Sequence, residues 1–329
     1  MRAITYTRFG PADEVLTLTN LPTPSPTPGQ VLVRLHASGV NPSDVKARAG
    51  TRPGVTEPPY PTIIPHSDGA GVIEAVGDGV PSGRIGERVW VWNGQWQRAY
   101  GTAADYIALP AAQAVPLPET VSFDTGATLG IPGLTACHTV LGGGAIAGKR
   151  VLISGGAGTV GHIAIQIAIA SGAEVVATAR CAVGLAAAKA AGAHHVLDYT
   201  SNTLAEEILT ATNGAPIDRA VEVEFGQNAD TLAQVMAPNS TIAAYGSAKA
   251  MAPTLPFYPM MFKAITLDMV LIYLLPEDQR AKATAALTNL LKRDALTIRI
   301  AETHSLANCA AAHEAVATGT KAGSVLVTL

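Results

Sequence analysis

The chain has 329 residues, of which 48% are hydrophobic and 14% charged, and its formal net charge is −3. This length predicts two domains, the composition excludes a largely disordered chain, and the charge argues against nucleic acid or an anionic membrane as a partner. The three cysteines, Cys137, Cys181 and Cys309, are far apart with no CxxC pair, which excludes a disulfide framework and a cysteine-rich zinc lobe. The most apolar stretch, 265–275, contains Asp268 and is too short to span a bilayer. We therefore expect a soluble cytoplasmic protein.

The first 122 residues are predicted to be rich in β-strands. Residues 30–40 alternate apolar and polar side chains, as a half-buried strand does. Glycine-bounded runs at 69–80 and 86–92 are further strand candidates. Prolines cluster at 22–28 and 58–65 and mark loops, because proline lacks the N–H that a strand ladder needs.

From about residue 123 the pattern changes to β-branched runs that alternate with alanine-rich helical stretches. The predicted strands are 151–154, 175–179, 194–199, 219–224 and 241–246. The predicted helices are 159–171, 182–191, 203–212 and 228–236. This alternation predicts a doubly wound parallel sheet covered by helices on both faces. A strand at 265–272, a helix at 277–294 and a strand at 324–329 follow, and the pattern alone leaves this tail in either domain.

The most informative segment is a glycine-rich loop between a predicted strand and helix. Gly156, Gly158 and Gly161 fit G-x-G-x-x-G, with Thr159 and Val160 between the last two glycines. In such a loop the first glycine allows the tight turn, the second lets the backbone approach a pyrophosphate, and the third lets helix and strand pack closely. The helix N-terminus then offers N–H groups and a positive dipole end to phosphate. The alternative is a glycine-rich turn without a ligand, but the flanking strands and helix favour dinucleotide binding.

The end of the next strand indicates which nucleotide binds. NAD-specific sites usually place Asp or Glu there to accept from the ribose hydroxyls. Here the strand ends in Ala179, and Arg180 follows. A guanidinium suits a 2′-phosphate, so we predict NADPH as the cofactor in preference to NADH. The alternative is a solvated surface arginine.

Four segments, 37–50, 65–77, 129–136 and 154–161, resemble the zeta-crystallin-type quinone oxidoreductases, the zinc-free branch of the medium-chain dehydrogenase/reductase superfamily. The motifs occur in the family's order, and the tail 318–329 resembles its closing strand. The resemblance implies an α/β fold that combines a Rossmann doubly wound parallel sheet with a GroES-like β-barrel domain.

The resemblance also implies domain bounds and an assembly. The GroES-like catalytic domain would cover 1–122 and be completed by about 265–329, around a Rossmann NADPH-binding domain at 123–264. Relatives pair the edge strands of two Rossmann sheets, and 266–272 is the matching segment here. We therefore predict a homodimer, which would cover an apolar sheet edge.

Zinc-dependent members of the superfamily carry Cys, His and Cys where this chain has Asn41, Ser67 and Ile131. Asn and Ser are poor zinc ligands and Ile is none, so this set predicts no catalytic zinc. His66 lies one position before the family's ligand position and has no cysteine near it in sequence. We predict a structural role for it and no bound metal.

The resemblance assigns roles to individual residues. Asn41 and Asp44 match the catalytic N-x-x-D/E positions beside the nicotinamide, Thr135 matches a residue that contacts that ring, and Tyr199 matches a tyrosine near the adenosine phosphate. Gly246 and Ser247 match a Gly-Ser step that abuts the cofactor. From pattern alone, each of these could be an ordinary turn, cap or strand-end residue. The predicted cofactor-binding residues are Thr135, Gly156, Gly158, Thr159, Val160, Gly161, Arg180, Tyr199, Gly246 and Ser247.

The substrate pocket departs from the family pattern at two positions. Many relatives have tyrosine where this chain has Lys46, and glycine where it has His66. Both residues are predicted to line the pocket, where Lys46 would favour an anionic or developing-phenolate oxygen. Tyr60 and Trp92 are candidate aromatic walls for a flat substrate, or else ordinary packing residues.

The predicted function is metal-free, NADPH-dependent reduction of a small-molecule quinone or other electrophilic acceptor. Without a Lewis acid, alcohol deprotonation is difficult, whereas positioning and hydrogen bonding suffice to reduce an electrophile. NADPH-dependent reduction of enone or alkenal double bonds is the alternative within the same class. A non-catalytic NADPH-binding crystallin-like or RNA-binding protein is the alternative of another class.

Overall fold

A computed structural model describes residues 1–52, 54–319 and 322–329. These residues form two compact units: unit 1 is Met1–Ile131 with Ile298–Leu329, and unit 2 is Pro132–Thr297. The described strands are β1 (Arg2–Thr5), β2 (Thr17–Asn20), β3 (Gln30–Val40), β4 (Asp68–Val76), β5 (Arg88–Val91), β6 (Tyr106–Pro110), β7 (Ala114–Pro116), β8 (Arg150–Ile153), β9 (Glu174–Ala179), β10 (His195–Asp198), β11 (Ile217–Glu222), β12 (Met236–Ala244), β13 (Thr266–Met269), β14 (Ile300–Ser305) and β15 (Ser324–Thr328). The described α-helices are α1 (Ala12–Val15), α2 (Pro42–Ala49), α3 (Phe123–Gly126), α4 (Leu134–Leu141), α5 (Thr159–Ala170), α6 (Cys181–Ala190), α7 (Leu204–Ala211), α8 (Phe225–Val235), α9 (Phe257–Met261), α10 (Glu277–Lys292) and α11 (Cys309–Ala317).

Unit 1 is built around a mainly antiparallel sheet. Its described strands follow the order β14-β15-β3-β4-β5-β7, and β6 pairs with β3 off this path. The long strand β3 organises the sheet because it pairs with β15, β4 and β6. Val31, Val33 and Leu35 on β3 pack with Ile73 and Ile107 in a buried apolar cluster. The strand predicted at residues 30–40 is confirmed, but most of β3 is buried on both faces instead of half-buried, and Arg34 is its one exposed residue.

Unit 2 is a doubly wound sheet with a core between the sheet and its helices. Its strands are parallel in the order β10-β9-β8-β11-β12-β13. The direction of winding reverses between β8 and β11, which is where open α/β sheets bind ligands at their carboxyl edge. The predicted α/β fold with a parallel sheet is confirmed. Among the described helices, none combines the length and apolarity needed to cross a membrane.

The units divide at 131/132 and 297/298, whereas the sequence placed boundaries at 122/123 and about 264/265. The segment after 264 lies in unit 2 because β13 pairs with β12 as a sixth strand. Helix α10 contacts α4, where the Cys137 thiol lies 3.5 Å from the carbonyl oxygen of Ala283. Within the predicted closing segment 318–329, Thr320 and Lys321 lie outside the described residues.

Candidate functional site

The loop between β8 and α5 has the geometry of a phosphate-binding turn, with one correction to its predicted glycine roles. The residue in the left-handed region is Gly155, with φ +68°, so it and not Gly156 makes the tight turn. A Cβ at Gly156 would lie 3.0 Å from Ile165 and 3.1 Å from Ala177. Gly156 is therefore needed for packing of the turn against its neighbours.

The other two glycines of the loop differ in what surrounds them. Gly158 is exposed at the N-cap of α5 with φ −76°, and a Cβ there would meet nothing closer than the Gly155 oxygen at 3.4 Å. A Cβ at Gly161 would lie 2.3 Å from that same oxygen. The fold thus requires glycine at 161 but not at 158, which leaves the backbone at 158 open to a ligand. Thr159 and Val160 form the first turn of α5, where helix N–H groups face outward.

Arg180 and Tyr199 lie at the ends of neighbouring strands. Arg180 is exposed at the N-cap of α6, directly after the buried Ala179. The backbone N–H of Tyr199 donates to the carbonyl of Ala179 at 3.0 Å, so the two strand ends are joined. Asp198 is in register with Ala179, but its carboxylate accepts from the backbone N–H and hydroxyl of Thr200 at 2.9 and 2.8 Å. These two hydrogen bonds lower the pKa of Asp198.

Gly246 and Ser247 follow β12 and hold the loop onto the start of α8. A Cβ at Gly246 would lie 2.3 Å from the carbonyl oxygen of Val223, so the two backbones approach closely. The hydroxyl of Ser247 accepts from the N–H of Gly226 at 2.9 Å and donates to the carbonyl of Ala250 at 2.6 Å. Its observed role is therefore to order this loop at the carboxyl edge of the sheet.

A buried acid at the point where the winding reverses was missed by sequence reasoning. Glu222 ends β11, is fully buried, and accepts a hydrogen bond from the hydroxyl of Ser154, which follows β8. The side-chain amide of Asn228 donates to it at 2.9 Å. Burial raises the pKa of Glu222, and these donors oppose the rise. The residue joins the carboxyl ends of β8 and β11, and its only sequence signal is an acid at the end of an apolar strand.

Thr135 is buried in the first turn of α4 in unit 2. Its carbonyl oxygen accepts from the hydroxyl of Thr139 at 2.8 Å, one turn along the helix. The threonine is therefore held by α4. Its predicted contact with the nicotinamide stays a prediction.

In unit 1 the two predicted catalytic residues, Asn41 and Asp44, are hydrogen-bonded to each other. Asn41 also contacts Asp68, a residue that sequence reasoning missed. The Asp44 carboxylate accepts from the backbone N–H of Asn41 at 2.8 Å at the start of α2. The Asn41 side-chain amide donates to Asp68 at 2.8 Å, and the other oxygen of Asp68 accepts from the N–H of Ile131 at 2.8 Å. Asp68 thus orients the Asn41 carboxamide. Its position beside Ser67 in a family-like segment was the available signal.

Burial controls the protonation of this acidic pair. Burial raises the pKa of Asp44 to about 7, although hydrogen bonding to Asn41 and the charge of Arg52 oppose the rise. Burial and the nearby Asp44 raise the pKa of Asp68 well above its usual range. Both carboxyl groups therefore keep their protons to higher pH than an exposed aspartate does, and the pKa of Asp44 lies near neutral pH.

The four predicted pocket residues are all in unit 1, and they differ in exposure. Lys46 is exposed on α2, and Tyr60 packs against the buried Tyr6 cluster. Trp92 is half-buried, and its carbonyl accepts from the side-chain amide of Gln113 at 3.0 Å. His66 differs from the prediction, because its ring is buried against other side chains and not at an open surface.

Comparison with known proteins agrees with this architecture. The family profile "Alcohol dehydrogenase GroES-like domain" matches residues 27–119, and the profile "Zinc-binding dehydrogenase" matches residues 159–289. A quinone oxidoreductase of Rattus norvegicus is 35% identical over 229 residues, which cover 69% of this chain and 68% of that protein. A quinone oxidoreductase of Homo sapiens is 29% identical over 332 residues, which cover 100% and 98% of the two chains.

Solved structures show the same fold over the full length. A mycobacterial quinone oxidoreductase is 26% identical with a TM-score of 0.86, and a mycobacterial protein complexed with NADPH is 26% identical with a TM-score of 0.87. An NAD-dependent alcohol dehydrogenase is 28% identical with a TM-score of 0.88. All three comparisons cover 100% of both chains.

Together, the GroES-like unit 1 and the nucleotide-binding unit 2 define an oxidoreductase with an NAD(P)H-type cofactor. The chain belongs to the medium-chain dehydrogenase/reductase superfamily, in the family of quinone oxidoreductases.

Proposed function

We propose that this protein reduces quinones with NADPH and without a catalytic metal. The observation that carries the proposal is the set of contacts around Asp68. Asn41 and Ile131 occupy two positions where zinc-dependent members carry cysteine, and here both donate N–H groups to one buried carboxyl group. An amide and an aliphatic side chain supply no zinc ligand, so this arrangement favours hydrogen-bond catalysis.

NADPH supplies a hydride equivalent when it is bound. In unit 2, the backbone at Gly158 and the first turn of α5 would hold the pyrophosphate, and Arg180 would pair with the 2′-phosphate. In unit 1, one N–H of the Asn41 carboxamide is used by Asp68. The other would donate to the acceptor oxygen, where negative charge develops during reduction. Asp44 and Asp68 act as positioning residues, because they fix the backbone and the side chain of Asn41.

The proposed reaction is tested by following NADPH oxidation with EDTA present. A para-quinone, an ortho-quinone and a 2-alkenal are offered in parallel, and Asn41→Ala is the matched variant. We expect quinone turnover that EDTA does not diminish and that falls about a hundredfold in the variant, the effect of losing one oriented donor. Turnover with the alkenal alone would favour the double-bond reductase. Tight NADPH binding without turnover would favour the non-catalytic alternative.

Arg180 is expected to determine the preference for NADPH. Arg180→Ala removes a charge-assisted hydrogen bond to the 2′-phosphate, so it should raise the KM for NADPH about tenfold. The KM for NADH, which lacks that phosphate, should be nearly unchanged. Lys189→Ala on the same helix is the control. Steady-state titrations with both cofactors measure the effect, and an equal loss for NADPH and NADH would contradict the role.

We also propose that β13 forms a homodimer interface. The described part of unit 2 carries exposed apolar residues on and after β13, with Met269 78% and Leu274 65% exposed, and Phe262 of the preceding segment is 80% exposed. An open strand edge with apolar neighbours pairs readily with a second copy. Light scattering should give twice the chain mass of 33.7 kDa. Met269→Lys should shift the protein toward the monomer, and a monomeric wild type at micromolar concentration would refute the proposal.

A further inference from the structure

Folding of unit 1 brings together two histidines and a cysteine that are distant in sequence. His66 precedes β4, whereas Cys309 and His313 lie one helical turn apart on α11. All three are at most 1% exposed, and their ligand-type atoms lie within 4.8 Å of one another. The Nε2 atoms of the two histidines are 2.9 Å apart, and the Cys309 sulfur is 3.8 Å from Nε2 of His66.

Neighbouring hydroxyl groups determine which nitrogen of His66 carries its proton. The Thr102 hydroxyl donates to the carbonyl of Asp68 at 2.6 Å, because a carbonyl only accepts. The Ser38 hydroxyl, 2.8 Å away, then donates to Thr102 and accepts from Nδ1 of His66 at 2.9 Å. With these donors assigned, the proton of His66 is on Nδ1, and its Nε2 accepts from the Nε2–H of His313 in the metal-free cluster. This is the arrangement of a metal-binding histidine, whose other nitrogen donates to an oxygen of its surroundings.

Two further features of the cluster are a strained backbone at His66 and an unpartnered ring nitrogen on His313. His66 adopts φ +75°, a left-handed conformation that glycine adopts without strain and that histidine adopts at a cost. In addition, Nδ1 of His313 is buried and has no hydrogen-bond partner among the described residues. His66 is thus held in a strained backbone conformation, with its two ring nitrogens within hydrogen-bond distance of Ser38 and His313.

From this geometry we infer that His66, Cys309 and His313 form a site for a divalent transition-metal ion, of which Zn²⁺ is the expected occupant. Two imidazoles and a thiolate are ligands that Zn²⁺ prefers, and a water would complete four-coordination. Ligand atoms around a tetrahedral zinc are about 3.3–3.6 Å apart, so the 2.9 Å between the Nε2 atoms must widen slightly while the 3.8 Å contact to sulfur contracts. The site would join α11 to the segment before β4.

Binding of a metal ion at this cluster needs a thiolate and two imidazole nitrogens with free lone pairs, so it is coupled to proton release. On binding, the thiol loses its proton to solvent, and the proton on Nε2 of His313 moves to Nδ1. One proton per bound ion is therefore released.

The site differs from the family's catalytic zinc position and from the sequence expectation of no metal. That expectation treated His66 as an isolated histidine, because no cysteine lies near it in sequence. The proposed metal stabilises unit 1 and takes no part in hydride chemistry. Quinone reduction at ambient temperature is therefore expected to survive Cys309→Ser.

Cobalt substitution of the full-length, chelator-treated protein tests the site. Cys181 is exposed, so the experiment uses a Cys181→Ser background to remove a competing surface thiol. We expect one Co²⁺ per chain, with thiolate charge-transfer absorption and the visible bands of a tetrahedral ion. Cys309→Ser should abolish the charge-transfer band, whereas Cys137→Ser, another buried cysteine, should retain it.

Zinc-dependent stability provides a second readout. Zn²⁺ should raise the Tm of the wild type by several degrees and leave that of Cys309→Ser unchanged. If Cys309→Ser does not fold, His313→Gln replaces it. Absence of cobalt absorption, or a charge-transfer band that persists in both variants, would overturn the assignment and leave a hydrogen-bonded histidine pair. Because neither readout depends on turnover, the outcome is independent of the proposed quinone reduction.

Discussion

Gly158→Ala is expected to weaken NADPH binding at least about tenfold, ~1.4 kcal/mol, while leaving the stability of unit 2 unchanged. A Cβ at this position meets nothing in the protein closer than 3.4 Å, and the backbone angles suit any residue. The added methyl group would instead occupy the space in which a pyrophosphate approaches the helix N-terminus. Calorimetric titration with NADPH and denaturant unfolding of the same preparation measure the two quantities.

Gly161→Ala is the matched control, and it is expected to lower the stability of unit 2. Its Cβ would lie 2.3 Å from the carbonyl oxygen of Gly155, so the backbone must shift. Such overpacking is expected to lower the free energy of unfolding by about 3 kcal/mol. If Gly158→Ala destabilised the protein as much as Gly161→Ala, or bound NADPH as the wild type does, the assignment of Gly158 to the cofactor would be wrong.

Stability is expected to fall by about 4 kcal/mol between pH 4 and pH 7 because of Asp44. Burial raises the folded-state pKa of this carboxyl group from 3.8 to about 7. As pH rises, the carboxyl group ionises first in the unfolded chain. This stabilises the unfolded state relative to the folded state by about 1.4 kcal/mol per pH unit, until the folded state also ionises near pH 7. The contribution is therefore fully present below about pH 4 and is lost as pH approaches 7. Asp68, whose pKa is also raised, acts in the same direction.

Denaturant unfolding at several pH values, with Asp44→Asn as the variant, measures this effect. Asparagine retains a carbonyl oxygen that accepts from the backbone N–H of Asn41 but cannot ionise. We expect the variant to lose the part of the decline that comes from Asp44 and to keep the part that comes from Asp68. The control is Asp13→Asn, an exposed acid on α1, which should leave the profile unchanged. Identical pH profiles for the wild type and Asp44→Asn would refute the buried-proton assignment.

The sequence predicted well the features that repeat along the chain or lie close together in it. Alternation in residues 30–40 predicts a strand, and β3 covers the same residues, although most of it is buried on both faces. The strand–helix series after residue 123 corresponds to the six parallel strands of unit 2. Local patterns suffice here because side-chain periodicity follows directly from helix and strand geometry.

Local sequence pattern did not predict the structure where two neighbouring residues could each make a turn, or where the deciding contact is with a residue far away in the sequence. The motif directed attention to Gly156 for the turn, but the backbone places the left-handed residue at Gly155, which the motif does not include. The boundary predicted near 264 differs from the division at 297/298, because β13 resembles any apolar strand in sequence and joins unit 2 only by pairing with β12. Strand pairing depends on tertiary packing, and the spacing of residues within one strand does not predict it.

The sequence by itself therefore determined the fold class, the glycine-rich loop and the basic residue at the strand end, all of which are expressed in local periodicity and motif spacing. Only the tertiary structure decided which buried polar groups meet. Asp68 contacts Asn41 and Ile131, and His66 meets His313 across 247 positions of the chain. A buried polar group must find its partner wherever packing places one, so these partnerships leave no signal in neighbouring residues.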